Sequence, residues 1–105
     1  MSIKMLTKFF ILNLVIICFI TQPAYAGDAT AGKAKAALCA GCHGANGISL
    51  SDDVPNLAGQ KAGYLTKAAK DYKTGARNNP MMKSIIGGVS DKDLEDIAAY
   101  YSTLK

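Results

Sequence analysis

The sequence predicts an all-α fold for residues 27–105. Apolar residues recur there at helical spacing in three segments, and no segment alternates apolar and polar residues with a period of two over a useful length. The chain has 105 residues, which allows one small domain and excludes a multidomain enzyme. Half of the residues are hydrophobic, which excludes a disordered or highly charged tail protein.

The first predicted helix covers residues 28–38, with Asp28 as its N-cap. The second covers residues 61–73, with apolar side chains at i, i+4 and i+7 and lysines on its expected solvated face, and Gly75 ends it. The third begins at Ser90, which forms a capping box with Asp93, and helical spacing continues from there to the chain end. The intervening segments, rich in glycine, proline and asparagine, are predicted loops.

Residues 1–26 are predicted to be a secretory signal peptide. Lys4 and Lys8 precede a nearly unbroken apolar run over residues 9–20, and a small-x-small site ends at Ala26. The run is shorter than the roughly 20 apolar residues of a membrane span, so an uncleaved anchor is the weaker alternative. Cleavage after Ala26 leaves residues 27–105 as one exported domain that does not span the membrane. The whole sequence has a net charge of +4, and residues 27–105 have +2 because Lys4 and Lys8 are removed. A charge of +2 is too weak to predict a nucleic-acid partner.

The run Cys39-Ala40-Gly41-Cys42-His43 is the main candidate functional motif. Cysteines at i and i+3 share one face of a helix, so two thiols can each bond one vinyl group of a single porphyrin. The following histidine then supplies the proximal ligand of the iron. In an exported chain the motif therefore predicts a covalent c-type haem, which also supplies core that a small domain lacks.

Three other interpretations of this motif remain. A Cys39–Cys42 disulfide is compatible with an oxidising compartment. A thiol-redox Cys-x-x-Cys requires a βαβ context, which the sequence does not predict. A structural zinc usually requires four ligands, whereas residues 27–105 hold two cysteines and one histidine.

The second axial ligand of the iron is predicted to be a methionine. No second histidine exists, and the only methionines beyond residue 26 are Met81 and Met82, directly after Pro80. Thioether ligation opposite histidine is typical of cytochromes c. Neighbouring helical residues point about 100° apart, so only one of the two reaches the iron, and spacing alone leaves both open.

The sequence as a whole resembles class I cytochromes c. The resemblance rests on the Cys39–His43 motif, Val-Pro-Asn-Leu-Ala-Gly-Gln at 54–60, Asn-Pro-Met-Met at 79–82, and the C-terminal capping box with its following Tyr-Tyr pair. The most similar group is the small single-haem cytochromes c553, related to each half of dihaem cytochrome c4. The resemblance implies a class I cytochrome c fold over residues 27–105, with three to four helices around one covalent haem.

The resemblance also implies roles for individual residues. The family's ligand methionine stands eight residues before the capping-box serine, which selects Met82 here. The Pro55 carbonyl is expected to face the imidazole NH of His43. Gly32 is expected to allow a close crossing of the first and last helices, with Tyr100 packed at the crossing.

The function implied is one-electron transfer in the periplasm by haem c iron bound to His43 and Met82. The chain is expected not to be an enzyme, because no acid–base pair remains beside the haem, and to meet its redox partners transiently. The alternative is a haem-bearing subunit of a larger oxidoreductase, for example a flavocytochrome that oxidises sulfide.

Overall fold

The computed structural model describes residues 27–105, and the predicted signal peptide at residues 1–26 lies outside them. Within residues 27–105 the regular secondary structure is entirely helical, so the all-α prediction is confirmed. The described residues contain five helices rather than three to four: α1 (Ala29–Lys35), α2 (Ala37–His43), α3 (Ala62–Thr74), α4 (Pro80–Gly87) and α5 (Asp91–Ser102). No helix in this part of the chain is long and apolar enough to cross a membrane.

The predicted first helix is divided into α1 and α2 by a turn at Ala36. The carboxylate of Asp28 caps α1 by accepting hydrogen bonds from the backbone NH groups of Thr30 and Ala31. At Ala36 the chain tightens, because the NH of Cys39 donates to the Ala36 carbonyl oxygen at 2.9 Å, only three residues back. Ala36 is 4% exposed, so the turn lies in the core.

Helix α4 lies in a segment for which the sequence predicts a loop rather than a helix. The side chain of Asn79 caps it by accepting a hydrogen bond from the NH of Met82 at 3.0 Å, and Pro80 occupies its first position. Both are local signals of a helix start, since asparagine is a strong N-cap and proline is tolerated where no NH partner is needed. The consequence is that both methionines lie on the first turn of a helix.

Helix α5 begins at the predicted capping box, where the hydroxyl of Ser90 accepts a hydrogen bond from the NH of Asp93 at 3.1 Å. One face of α5 contributes to the core cluster, which we define as Ala36, Ile86, Val89, Leu94, Ile97 and Tyr101. Helices α1 and α3 both pack on α5, and α3 also contacts α4. Helix α5 is therefore the element against which α1 and α3 are placed.

The crossing of α1 and α5 has the close approach that the resemblance implies. A Cβ atom on Gly32 would lie 1.8 Å from the carbonyl oxygen of Asp96, so the two backbones touch there. Tyr101 rather than Tyr100 is the fully buried tyrosine, with 1% of its surface exposed. Tyr100 is half-buried beside it, with the ring centroids 5.3 Å apart.

The carboxylate of Asp96 is buried at the same crossing and is 2% exposed. It accepts hydrogen bonds from the NH of Asp28 at 2.8 Å, from the Lys35 ammonium at 2.7 Å, and from the Lys92 ammonium. The hydrogen bonds from the two lysines and from the Asp28 NH hold the pKa of Asp96 well below its ordinary value, against the opposing effect of burial. This group thus attaches the start of the domain to its last helix.

The lysines of α3 were expected to form a solvated face, and the structure pairs two of them with α5. Lys70 lies 3.8 Å from the carboxylate of Glu95, and Lys73 lies 3.1 Å from that of Asp91. The Lys73 ammonium also donates to the carbonyl oxygen of Val89. These contacts hold the end of α3 against the junction between α4 and α5.

Candidate haem-binding site

Helix α2 carries the two cysteines and the histidine of the predicted motif. Cys39 is half-buried and packs against the core cluster, whereas Cys42 is exposed, and both are free thiols rather than a disulfide. Burial raises the pKa of the Cys39 thiol. Their i, i+3 positions place both sulfurs on one side of α2, as the attachment of a single porphyrin requires.

The chain turns sharply directly after His43. Gly44 has a φ of +89°, and a Cβ there would lie 1.8 Å from the carbonyl oxygen of Ile48. Only glycine fits this combination of left-handed backbone and close approach. The turn brings the following loop back beside His43, the last residue of α2. His43 is only 6% exposed.

His43 is held by the contact that the resemblance implies. Its Nδ1 atom lies 2.8 Å from the carbonyl oxygen of Pro55. A carbonyl oxygen only accepts hydrogen bonds, so Nδ1 is the ring nitrogen that carries the proton and donates it. The lone pair is then on Nε2, the form of neutral imidazole that binds a metal, and the hydrogen bond fixes the orientation of the ring.

The two methionines lie in different environments. Met81 is 67% exposed. Met82 is half-buried and packs against the core cluster, as do Cys39, Leu57 and Leu65. The structure therefore brings Met82 to the same apolar cluster as the first cysteine and leaves Met81 in solvent.

The residues present fit a haem. Two thiols lie at the correct spacing, one imidazole is oriented by a hydrogen bond at Nδ1, and one thioether packs on the same apolar cluster as Cys39. Partly exposed apolar side chains, among them Leu38, Ile48 and Tyr64, supply further surface of the kind that a porphyrin covers. Within residues 27–105 no group of three His, Cys, Asp or Glu side chains is arranged to hold a metal ion.

Two contributors to this site were not found in the sequence. Asn79 fixes the backbone of Met82, and the Asn-Pro pair is the signal that identifies it. Gly47 has a φ of +74°, and its carbonyl oxygen accepts hydrogen bonds from the NH groups of Leu57 and Ala58. The sequence predicts a loop at this position, but the hydrogen-bond partners of Gly47 lie across that loop and no local pattern reveals them.

The domain is all-α, with this motif and an oriented histidine on one short helix and a methionine on another. This arrangement is the class I c-type cytochrome architecture. The family model described as cytochrome c matches residues 29–105, and the chain belongs to the cytochrome c family. Membership of this family implies a covalent c-type haem as the cofactor.

Three cytochromes are among the relatives of this chain. The chain is 45% identical over 96 residues to cytochrome c4 of Pseudomonas aeruginosa, covering 90% of this chain and 48% of that protein. It is 47% identical over 81 residues to cytochrome c-554(548) of Halomonas halodenitrificans, covering 74% of this chain and 98% of that one. The cytochrome subunit of sulfide dehydrogenase of Chlorobaculum tepidum is 33% identical over 73 residues, covering 70% of this chain and 66% of that subunit.

Solved structures agree with the fold. Reduced recombinant cytochrome c4 from Pseudomonas stutzeri superposes with a TM-score of 0.72 at 44% identity, covering 76% of this chain and 47% of that one. The chain thus spans about half the length of the cytochrome c4 relatives that it matches. The resemblance inferred from the sequence and the class I cytochrome c fold are both confirmed.

Proposed function

We propose that residues 27–105 form a periplasmic one-electron carrier with a single haem, bound covalently through Cys39 and Cys42 and ligated by His43 and Met82. The observation that carries the proposal is the 2.8 Å contact between His43 Nδ1 and the Pro55 carbonyl oxygen. The Nδ1–H group of the buried His43 imidazole donates to this carbonyl, which orients the ring and keeps its proton on the nitrogen that a metal ligand does not use.

Each residue has one part in this function. The thiols of Cys39 and Cys42 hold the cofactor so that it does not dissociate. With haem bound, His43 and Met82 would hold its iron, and the haem would supply the one-electron couple. The core cluster around Met82 and Cys39 keeps water from that side of the site. A fixed environment of this kind lets an electron pass with little movement of the protein.

The choice of Met82 over Met81 is supported by burial. A ligand must point into the domain, and the Met81 side chain is largely exposed whereas Met82 contacts the core cluster. The spacing to Ser90 that is typical of the family selects the same residue. In the proposed function these residues hold a cofactor, and no residue is assigned a catalytic role.

Export of the chain is part of the proposal. The composition of residues 1–26 is that of a signal peptide, and c-type haem attachment at a Cys-x-x-Cys-His motif accords with an exported domain. The mature protein would begin at Gly27, whose position beside the backbone of Glu95 already belongs to the folded domain.

The test is to express the full chain in a bacterium that attaches c-type haem and to recover it from the periplasm. The intact mass should equal residues 27–105 plus one haem, and the ferric spectrum should contain the sulfur-to-iron band near its red end. A mass that retains residues 1–26 would contradict export with cleavage. A haem-free mass with Cys39 bonded to Cys42 would contradict the haem site altogether.

A second candidate function is that of a cytochrome subunit in a larger oxidoreductase. The similarity to the cytochrome subunit of sulfide dehydrogenase favours it specifically. Both functions use the same haem site and differ in the partner. Copurification of the periplasmic protein separates them, because a stable stoichiometric complex with a flavoprotein indicates a subunit, and a monodisperse small haem protein indicates a free carrier.

A further inference from the structure

Tyr101 contacts the loop on both sides of Pro55. Its ring lies against Gly47, where an added Cβ would be 2.9 Å from the ring Cδ1 atom. Its carbonyl oxygen accepts a hydrogen bond from the NH of Gly59 at 3.0 Å. One residue of α5 therefore touches both the segment that follows His43 and the segment that follows Pro55.

These two segments are also joined to each other. The carbonyl oxygen of Gly47 accepts hydrogen bonds from the NH groups of Leu57 at 2.8 Å and Ala58 at 3.0 Å. Residues 57–59 are thus fixed by two backbone carbonyls, those of Gly47 and Tyr101. Pro55 stands two residues before this anchored segment, so the direction of its carbonyl depends on where the segment is held.

The packing around Tyr101 makes it a rigid support. It is 1% exposed, it belongs to the core cluster, and its hydroxyl lies 3.5 Å from the carbonyl oxygen of Ala36. Burial of the ring raises the pKa of Tyr101 to about 12, so the side chain stays neutral. A residue fixed in this way transmits the position of α5 to the loop.

We propose that Tyr101 is a positioning residue for His43: its ring and carbonyl hold Gly47 and Gly59 in place, which keeps the Pro55 carbonyl on the imidazole Nδ1–H. The inference rests on the proposed function, in which Nε2 of the same ring binds the haem iron. A steady hydrogen bond at Nδ1 keeps the orientation and basicity of the ligand constant. Tyr101 thereby acts on the iron site through Gly47 and Pro55.

The experiment measures exchange of the His43 Nδ1 proton with water by NMR in the reduced, haem-loaded protein. Tyr101→Leu removes the ring from Gly47 and should accelerate this exchange about tenfold or more, because truncating a buried aromatic lowers the free energy of local opening. Tyr101→Phe keeps the ring and should retain the slow exchange of the wild type.

The control is Leu94→Ala, which truncates a buried side chain of the same helix about 10 Å from Tyr101 along the axis. It should destabilise the domain and leave the exchange of the His43 proton much closer to that of the wild type. Equal acceleration in Tyr101→Leu and Leu94→Ala at matched stability would overturn the proposal, since Tyr101 would then support the fold only.

If Tyr101→Leu does not fold, hydrogen exchange of the wild-type protein under native conditions tests the proposed role of Tyr101 instead. The Nδ1 proton of His43 and the NH groups of Leu57 and Ala58 should exchange through one opening with the same dependence on denaturant. If the His43 proton and the two NH groups depended differently on denaturant, the coupling would be overturned. The proposed function would still stand, because the haem and its ligands would be intact. A protein isolated without haem would overturn both this inference and the proposed function.

Discussion

The α-carbon of Gly32 lies so close to the carbonyl group of Asp96 that a Cβ on Gly32 would be 1.8 Å from the oxygen. The first and last helices therefore meet backbone to backbone, with no side chain between them. This contact brings Asp28, Lys35 and Asp96 within hydrogen-bonding distance across the crossing. It also determines the direction in which α2 and its haem-binding motif leave the crossing.

Gly32→Ala should destabilise the domain by about 3 kcal/mol or more, because the new methyl group meets backbone that cannot rotate away. Thermal unfolding of the haem-loaded protein, followed by circular dichroism, measures this. The control is Gly63→Ala in α3, where an added Cβ meets no atom within 4 Å. That change should be neutral or stabilise by about 0.5–1 kcal/mol, since alanine is the better helix former. Equal unfolding midpoints for the two variants would contradict the close crossing.

Asp96→Asn should lower the unfolding midpoint by an amount that depends on pH. The carboxylate has a depressed pKa in the folded state because it accepts hydrogen bonds from Lys35, Lys92 and the Asp28 NH. Its stabilising contribution is therefore complete above the unfolded-state pKa of about 4 and is lost as the pH falls towards the folded-state pKa. The gap between wild type and variant should be constant above about pH 5 and shrink below about pH 4.

The control for this prediction is Asp52→Asn. Asp52 is exposed on the loop and has no ion-pair partner among residues 27–105, so the variant removes the same charge without breaking a contact. Its midpoint should stay close to that of the wild type across the range. A gap for Asp96→Asn that persists unchanged to pH 2 would show that packing rather than charge stabilises this position.

The parts of the fold that sequence predicts well are those encoded by neighbouring residues. The Ser90 capping box begins α5, and the Asp28 cap begins α1, each through a bond to an NH two or three residues ahead. Helix α4 was encoded equally locally by Asn79 and Pro80 and was missed because the pair lies in a loop-like composition. The turn at Ala36 was not predicted, because no glycine, proline or capping residue in the sequence marks it.

The same distinction holds at the site. Cys39, Cys42 and His43 form a contiguous motif, so local sequence predicts their arrangement. Periodicity leaves Met81 and Met82 equivalent. The family's spacing to Ser90 favours Met82, and the structure separates the two by packing Met82 against residues remote in sequence. The support that Tyr101 gives to the Pro55 loop joins positions more than 40 residues apart, which a single sequence does not reveal.

Met82→Ala should remove the iron–sulfur bond, abolish the sulfur-to-iron band of the ferric protein and lower the reduction potential. It should also cost about 2 kcal/mol of stability, since Met82 contacts the core cluster. Met81→Ala is the matched control, and because Met81 is 67% exposed it should change stability by less than about 0.5 kcal/mol. Loss of the band in Met81→Ala and its retention in Met82→Ala would move the ligand by one residue.

The ferrous wild-type protein should bind carbon monoxide poorly at neutral pH and show negligible peroxidase turnover. A carrier keeps both axial ligands in both oxidation states, whereas a haem enzyme or gas sensor requires a position that opens easily. Optical titration of the reduced protein with carbon monoxide measures this directly. Rapid binding with loss of the methionine ligand would favour a sensor or an enzyme over the carrier.

Asn79→Ala should make the iron position that Met82 is proposed to occupy easier to open. The Asn79 side chain accepts the hydrogen bond of the Met82 NH at 3.0 Å, so it fixes the first turn of α4, which carries the proposed ligand. Loss of an N-cap costs about 1 kcal/mol, and the affinity of the ferrous protein for carbon monoxide should rise about fivefold if this turn must open to release Met82. Ser90→Ala removes the corresponding cap of α5 at similar cost, and it should leave the affinity unchanged because that cap does not touch Met82. An equal rise in both variants would show that global stability, rather than the capped first turn of α4, retains the ligand.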